Sequence, residues 1–133
     1  MHTLLIDDDE IAVFLTERLL RRENFSDDIA AIGSGAEALA FLQKASVEEL
    51  PRVIFLDLNM PEMDGWELLD ALQPLQARLR GRCHIYILTS SLAHADAARG
   101  QASGLVAGLI RKPIDRDQIL AVRAQLTPRP GPE

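Results

Sequence analysis

Residues that can do chemistry follow four short, mostly apolar runs in this 133-residue chain. Asp7 and Asp8 come directly after "LLI", Asp57 ends "VIFLD", Thr89 ends "HIYILT", and Lys112 follows "VAGLIR". A single carboxylate, hydroxyl or ammonium at such a place is usually a turn residue, a helix cap or a solvated side chain. Three carboxylates that meet at one edge of a sheet repel one another, which raises a carboxyl pKa or requires a counter-ion.

If the fold brings these residues together, their types predict a magnesium-dependent reaction at phosphorus. Lys112 supplies one positive charge against at least three carboxylates, and a divalent cation would balance the surplus. Oxygen ligands, completed by water and a phosphate group, favour Mg²⁺ over Zn²⁺. The Asp57 carboxylate can then act as a nucleophile toward phosphorus and form an acyl phosphate. The metal, the ammonium and the Thr89 hydroxyl would stabilise the charge on the phosphoryl oxygens.

Alternating strands and helices must position these residues. The hydrophobic spacing predicts strands over 3–7, 28–32, 53–57, 84–89 and 106–112, and helices over 10–22, 33–45, from about 65, 93–102 and 115–126. Ser34 with Glu37 and Asp115 with Gln118 mark two helix starts, and Pro74 should interrupt the third helix. Strict alternation predicts a parallel sheet with helices on both faces, joined by right-handed crossovers.

The strand order follows from which runs are apolar throughout. Runs 4–6, 53–56 and 85–88 are continuous, as in interior strands that are buried on both faces, whereas 28–32 is diluted by alanine and suits an edge. This pattern favours a flavodoxin-like (βα)5 fold, a doubly wound parallel five-stranded sheet of order 2-1-3-4-5. In such sheets function gathers beyond the carboxyl ends of the strands, at the switch point between strands 1 and 3.

Composition is that of an acidic globular protein with one domain. The formal net charge of −6 argues against a general binder of nucleic acid or of anionic membranes. No apolar stretch reaches the roughly 20 residues of a membrane span. The single cysteine, Cys83, excludes an intrachain disulfide and a thiolate metal cluster. We expect a cytoplasmic protein with one domain over 1–126 and a flexible, Pro- and Gly-rich tail over 127–133.

The motifs "LLIDDDE", "VIFLDLNMPEMDGWELL", "YILTSS" and "GLIRKPI" resemble, in order and spacing, those of the receiver domains of two-component response regulators. The resemblance covers about residues 2–126 and is to the stand-alone, CheY-like type. It implies that Asp57 is the phosphoacceptor and that Thr89 is the hydroxyl that turns toward the phosphoryl group. It also implies that Lys112 pairs with that group.

The same resemblance implies a metal site, tuning positions and a cis peptide bond. The Mg²⁺ ligands would be Asp7, Asp8, Asp57 and the backbone carbonyl of Asn59. Asn59 and Ser91 match positions that tune how fast the phosphate is lost, and the Lys112–Pro113 bond matches one that is usually cis. Leu109 departs from the family, which usually has Tyr or Phe three residues before the lysine. A leucine cannot donate a hydroxyl hydrogen bond and packs differently from a ring.

The predicted function is that of a single-domain response regulator, a phosphoacceptor switch and not an enzyme. Asp57 would take a phosphoryl group from the phosphohistidine of a sensor histidine kinase, switch the conformation of the domain and lose the phosphate by self-hydrolysis. The output would be a protein contact, or onward transfer to a histidine phosphotransfer protein, through helix 93–102, the fifth strand and the last helix. The alternative is a receiver-like binding module that works without phosphate.

Other kinds of site are excluded at particular positions. An EF-hand loop needs a ligand and a glycine where Pro61 and Glu62 stand, and a haloacid-dehalogenase-type phosphatase needs an aspartate where Asn59 stands. No G-x-x-x-x-G-K-[ST] motif is present, and the three histidines lack metal-ligand spacing. Trp66, the sole tryptophan, is expected to cover the start of the third helix or to contact a partner or a second copy of the chain.

Overall fold

A computed structural model describes residues 2–90, 98–100 and 102–126. Five parallel strands form one sheet: β1 Thr3–Ile6, β2 Ile29–Ile32, β3 Val53–Asp57, β4 His84–Thr89 and β5 Val106–Arg111. Their order is β2-β1-β3-β4-β5, which confirms the flavodoxin-like arrangement. The alanine-rich strand β2 lies at an edge as predicted, and β3 is central, where apolar side chains are covered on both faces.

Helices connect the strands. They are α1 Glu10–Arg22, α2 Gly35–Lys44, α3 Gly65–Leu72, α4 Gln76–Leu79 and α5 Arg116–Leu126, with 3-10 turns at Val47–Glu49 and Gln73–Leu75. Most of the predicted helix 93–102 lies outside the described residues. The part of it that the structure describes, residues 98–100 and 102, is helical. The predicted tail 127–133 lies outside them entirely. Within the described part of the chain, no helix is long and apolar enough to cross a membrane.

Side-chain caps fix where the helices begin. A carboxylate oxygen of Asp9 accepts hydrogen bonds from two N–H groups in the first turn of α1. The Ser34 hydroxyl accepts from the Glu37 N–H at 3.1 Å, and Asp115 and Gln118 bond each other's N–H groups reciprocally at the start of α5. Such side chains satisfy N–H groups that have no partner inside the helix. Asp9 is therefore a helix cap, and Asp7 and Asp8 remain for the edge of the sheet.

Two apolar cores cover the two faces of the sheet. Successive side chains of a strand point to opposite faces, so Leu56 and Phe55 of β3 belong to different cores. Leu56 lies in the core completed by α2 and α3, which contribute Leu42 and Leu68. Phe55 lies in the core completed by α1 and α5, to which α5 contributes Ile119. The central strand is thereby fixed on both sides, which holds its last residue, Asp57, in one place.

The apolar spacing of α1 does not mark the face that this helix buries. Ile11, Phe14, Leu15 and Leu19 have the helical spacing that predicts α1, but the first three are 72%, 56% and 58% exposed. The helix instead buries Leu19 and Leu20. Three large apolar side chains therefore form a surface patch on α1, which begins directly after the acidic loop.

Candidate functional site

Four of the five strands place a polar side chain at the carboxyl edge of the sheet. Asp7 follows β1, Asp57 is the last residue of β3, Thr89 is the last of β4, and Lys112 follows β5. Asp7, Asp57 and Thr89 are buried. Because parallel strands end at the same edge, residues separated by up to 105 positions in the sequence meet there.

The Lys112 ammonium joins the two buried carboxylates. Its Nζ lies 3.0 Å from Oδ1 of Asp57 and 3.3 Å from Oδ2 of Asp7. The Lys112 N–H donates to the Thr89 carbonyl at 2.7 Å, which ties the ends of β4 and β5 together. Burial by itself would lower the pKa of Lys112, but the hydrogen bonds and charges of Asp57 and Asp7 outweigh burial and raise this pKa. Lys112 is therefore a fixed positive charge at neutral pH.

Asp57 is a buried carboxylate at the centre of the sheet. Burial raises the pKa of Asp57, and the charge of Asp7 adds to this effect, while Lys112 and the Asn59 N–H act in the opposite direction. The Asn59 N–H donates to Oδ1 of Asp57 at 3.4 Å. The charged form of this carboxylate is therefore poorly compensated by the protein, and a cation bound at this position would relieve that cost.

Asp7 and Asp57 differ in how their oxygens are engaged. Oδ1 of Asp7 accepts from the Asp9 N–H at 2.9 Å, and Oδ2 of Asp7 faces Lys112. Both of the contacts recorded for Asp57 within the described residues, with Lys112 and with the Asn59 N–H, fall on Oδ1. Asp7 is thus held through both of its oxygens, whereas these two contacts of Asp57 share Oδ1.

The acidic residues of this edge fit a hard divalent cation. Asp7, Asp8 and Asp57 each offer one carboxylate oxygen, and these three oxygens lie within 4.8 Å of one another. Ligands of an octahedral Mg²⁺ lie about 3–4 Å apart, a spacing close to this one, and the Asp8 side chain is exposed. The donor set is all oxygen and carries more negative charge than Lys112 balances, which favours Mg²⁺. The Asn59 carbonyl as a further ligand stays a prediction.

The other predicted residues lie around this centre. The Lys112–Pro113 peptide bond is cis. Leu109 is half-buried within the core on the α3 side of the sheet. It packs against Gly100, where an added Cβ atom would lie 2.7 Å from Cδ1 of Leu109. Ser91, the second predicted tuning position, lies outside the described residues.

Beside the acidic site, the structure has a groove that the sequence analysis did not predict. It has a volume of about 420 Å³ and runs from Asp9 and Leu15 on the α1 side to Lys112 and Pro113 on the β5 side. The exposed side chain of Leu15 joins this groove to the apolar patch of α1. The apolar spacing at the start of α1 was the only sequence feature that pointed to this surface. The same spacing also occurs in helices whose apolar face is buried.

A second contact that the sequence did not reveal involves the sole tryptophan. Trp66 is buried at the start of α3, as expected. The guanidinium Cζ of Arg99 lies 4.7 Å from the centroid of the Trp66 ring. An arginine at this distance from an aromatic face is attracted by the negative charge on that face. The contact joins α3 to the helical residues 98–100.

Comparison with known proteins decides the family. Residues 3–123 match the response regulator receiver domain. The chain belongs to this family. It is thus a receiver domain of two-component response regulators, a phosphoacceptor switch, and transfer of a phosphoryl group is the general mechanism of the family.

The relatives of this receiver domain include regulatory proteins. The chain is 32% identical over 118 residues to the transcriptional regulatory protein GlrR of Escherichia coli, an alignment that covers 89% of this chain and 24% of GlrR. It is 30% identical over 110 residues to the probable methanogenesis regulatory protein FilR2 of Methanothrix harundinacea, covering 81% of this chain and 70% of FilR2. The chain thus spans about a quarter of the length of GlrR.

Solved structures show the same fold. A two-component response regulator from Cytophaga hutchinsonii superposes with a TM-score of 0.83 at 30% identity, covering 94% of this chain and 95% of that one. The chemotaxis protein CheY4 of Vibrio cholerae superposes with a TM-score of 0.75 at 26% identity, covering 96% of this chain and 99% of that one. Both comparisons extend over nearly the whole chain, so the receiver fold accounts for its architecture.

Proposed function

We propose that this receiver domain accepts a phosphoryl group on Asp57 from the phosphohistidine of a sensor histidine kinase. The observation that carries the assignment is the position of Asp57. It is a buried carboxylate at the end of the central strand, with Lys112 and the Asn59 N–H both on Oδ1. Asp7 has both oxygens engaged, and Asp8 is exposed.

The transfer is a displacement at phosphorus. Oδ2 of Asp57 attacks the phosphorus atom, a P–O bond forms, and the P–N bond to the donor imidazole breaks with its electron pair leaving on the imidazole nitrogen. Lys112 holds Asp57 in place and is within reach of a phosphoryl oxygen, and the Thr89 hydroxyl is assigned to another. Mg²⁺ held by Asp7, Asp8, Asp57 and the Asn59 carbonyl would supply neutralisation of the phosphoryl charge. Water then attacks the phosphorus atom of the acyl phosphate, the P–O bond to Asp57 breaks, and inorganic phosphate leaves as the carboxylate is regenerated.

The phosphodonor is proposed to dock on α1. The patch of Ile11, Phe14 and Leu15 is exposed, and Leu15 lines the groove that ends at Lys112. An exposed apolar patch of this kind marks a contact site for another protein, and this patch is continuous with the site that the donor histidine must reach. Because kinases draw their phosphoryl group from ATP, the proposed reaction takes place in the cytoplasm.

We also propose an output surface. A phosphorylated domain would signal through contacts of the region 93–102, β5 and α5 with another protein, or pass the group to a histidine phosphotransfer protein. A binding module that works without phosphate is the second candidate, and the complete set of site residues speaks against it. Asp57, Lys112 and the acidic pair are all present, and three of these four side chains are brought into direct contact.

Labelling by a small phosphodonor tests the assignment of Asp57. Incubation with acetyl phosphate and Mg²⁺ is expected to add the mass of one phosphoryl group to the intact protein. The addition should be absent for Asp57→Asn and unchanged for Asp117→Asn, a matched change at an exposed aspartate on α5. Intact protein that gains no phosphoryl mass with Mg²⁺ present would rule out the switch.

The docking face has its own test, which separates binding of the donor from chemistry. A panel of autophosphorylated histidine kinases is screened for the fastest transfer to the wild type. Phe14→Gln and Leu15→Gln are then expected to slow transfer from that kinase at least about tenfold, as for loss of central interface side chains. Labelling by acetyl phosphate, which needs no docking surface, should stay unchanged. An equal slowing with both donors would place these residues in the fold or the chemistry instead.

A further inference from the structure

Arg99 connects two separate parts of the receiver domain. Its Cζ lies 4.7 Å from the centroid of the Trp66 ring, and its Nη2 lies 3.8 Å from Oδ2 of Asp70. Trp66 and Asp70 are one turn apart on α3, so both contacts fall on the same face of that helix. Arg99 belongs to the helical residues 98–100. We call the contact of Arg99 with Trp66 and Asp70 the Arg99 latch.

The α3 end of the latch is packed directly against the phosphoacceptor residue. α3 begins at Gly65, and the Gly65 N–H donates to the Leu58 carbonyl at 3.0 Å. A Cβ atom at Gly65 would lie 3.0 Å from the carbonyl oxygen of Asp57 and 2.9 Å from Cδ2 of Leu58. The first turn of α3 thus lies directly against the backbone at the end of β3. A shift of the backbone at Asp57 or Leu58 therefore moves Trp66 as well.

The other end of the latch is packed against β5. Gly100 is buried, and its missing side chain makes room for Leu109, whose Cδ1 would lie 2.7 Å from an added Cβ. Leu109 pairs with Ile87 of β4, and Thr89 pairs with Arg111 two positions further along both strands. Alternation along the strands places Thr89 and Leu109 on the same face of the sheet. Residues 98–100 thus cover the face to which the Thr89 side chain belongs.

We infer that the Arg99 latch is a built-in regulatory contact, closed in the unphosphorylated domain and released when Asp57 is phosphorylated. This inference rests on the proposed function. The phosphoryl group brings about two negative charges to the site, so Lys112 and Thr89 must rearrange. Thr89 ends β4 and Lys112 directly follows β5, the strand on which Gly100 packs through Leu109. Because Leu109 already fills the space at Gly100, residues 98–100 cannot move closer to the sheet. Repacking displaces them outward, away from α3.

Release of the latch would change a defined surface. A cleft of about 560 Å³ lies between α3 and the residues around Arg99, bordered by Trp66, Asp70, Gln76 and Gly104. Arg99 lines this cleft together with Trp66 and Asp70. When Arg99 leaves the ring, Trp66 becomes accessible and the cleft opens toward solvent. The chain thereby gains a phosphorylation-dependent surface without the aromatic residue that Leu109 replaces.

The single tryptophan makes the latch directly measurable. Trp66 fluorescence is recorded with acrylamide, a neutral quencher, in Mg²⁺ with and without acetyl phosphate, and the phosphoryl content of each sample is measured by intact mass. Phosphorylation is expected to shift the emission to longer wavelength and to raise the quenching constant. The same treatment of Asp57→Asn should change neither quantity.

Variants of Arg99 separate the latch from a general change of shape. In Arg99→Ala, Trp66 is expected to be quenched readily before acetyl phosphate is added, with no further rise afterwards. Arg99→Lys, which keeps the charge but loses the planar guanidinium, should fall between this variant and the wild type. Arg80→Ala, a change at another exposed arginine, should behave as the wild type does. Phosphoryl content should be equal in all of these variants.

The outcomes distinguish this inference from the proposed function. A full gain of phosphoryl mass with unchanged quenching of Trp66 overturns the latch and leaves the proposed function intact. Arg99→Ala that matches the wild type both before and after acetyl phosphate also overturns the latch. Absence of any mass gain overturns the proposed function, and the latch with it.

Discussion

Two contacts between a cation and a carboxylate in this receiver domain differ mainly in their exposure. At the site, Lys112 Nζ lies 3.0 Å from Asp57, and the two side chains are 26% and 5% exposed. At the latch, Arg99 Nη2 lies 3.8 Å from Asp70, and the two side chains are 54% and 75% exposed. Water screens the exposed pair of Arg99 and Asp70 strongly and the largely buried pair of Lys112 and Asp57 only weakly. The interaction between cation and carboxylate is therefore stronger at the site than at the latch.

The difference explains how one small domain can be rigid at one point and responsive at another. Removal of one partner from a buried pair leaves a charge without compensation, so such a pair fixes geometry. An exposed ion pair contributes at most about 1 kcal/mol and can open at little cost. The site thus holds Asp57 in position for chemistry, whereas the latch can follow the state of the site.

The largest effect is expected from removal of the buried cation. Lys112→Ala leaves Asp7 and Asp57 facing each other without a counter-charge. In Mg²⁺-free buffer this change should lower the free energy of unfolding by about 2–4 kcal/mol, slightly less than for a fully buried pair because Lys112 is partly exposed. Added Mg²⁺ should restore part of this loss, since the variant keeps all of its carboxylates. Urea unfolding with and without Mg²⁺ measures both quantities.

The only other lysine of the chain provides the control. Lys44→Ala removes an exposed lysine from the last turn of α2, and its free energy of unfolding should stay within about 0.5 kcal/mol of the wild type. If both variants lose the same stability, or if Mg²⁺ fails to stabilise Lys112→Ala more than the wild type, Lys112 does not compensate the buried carboxylates.

Much of the site could be predicted from the sequence because it is encoded locally. Asp57 and Lys112 each stand at the end of an apolar run, and a parallel sheet brings the ends of its strands to one edge whatever the details of packing. The alternation of elements fixes that topology, and the observed strand bounds differ from the predicted ones by at most one residue. The distances between the side chains needed the structure, since small rotations decide which oxygen of Asp57 faces Lys112.

The latch and the patch of α1 could not be predicted, for two different reasons. Ile11, Phe14 and Leu15 have the spacing of a buried helix face, and burial was decided instead by the orientation of Leu19 and Leu20 against the sheet. Arg99 meets Trp66 only because the chain returns to α3 after β4, and no local pattern specifies that meeting. Contacts between loops and helix surfaces depend on tertiary packing, which leaves little trace in hydrophobic periodicity.

An intermediate effect is expected where the latch meets β5. Leu109→Phe places a ring against Gly100, where Cδ1 of Leu109 already fills the space. Overpacking of this kind should cost about 1–2 kcal/mol of unfolding free energy. It should also displace residues 98–100, so that Trp66 is quenched more readily without phosphorylation. Urea unfolding and acrylamide quenching measure the two effects on the same protein.

Leu109→Met is the matched change of nearly equal volume. It should cost less than about 1 kcal/mol and leave the quenching of Trp66 close to that of the wild type. A Leu109→Phe variant that keeps both its stability and its quenching would show that the space at Gly100 is not limiting. The outward movement proposed for phosphorylation would then lose its physical basis.

The smallest effect is expected from added salt, which allows the ion pair at the latch to be compared directly with the ion pair at the site. In about 1 M NaCl the Debye length falls to about 3 Å, which screens Arg99 and Asp70 in solvent but acts little on Lys112 and Asp57. Quenching of Trp66 in the unphosphorylated protein should rise modestly with salt, and this rise should vanish in Asp70→Asn. The stability difference between Lys112→Ala and the wild type should persist in high salt. A salt response that is equal at both places would mean that burial does not separate them.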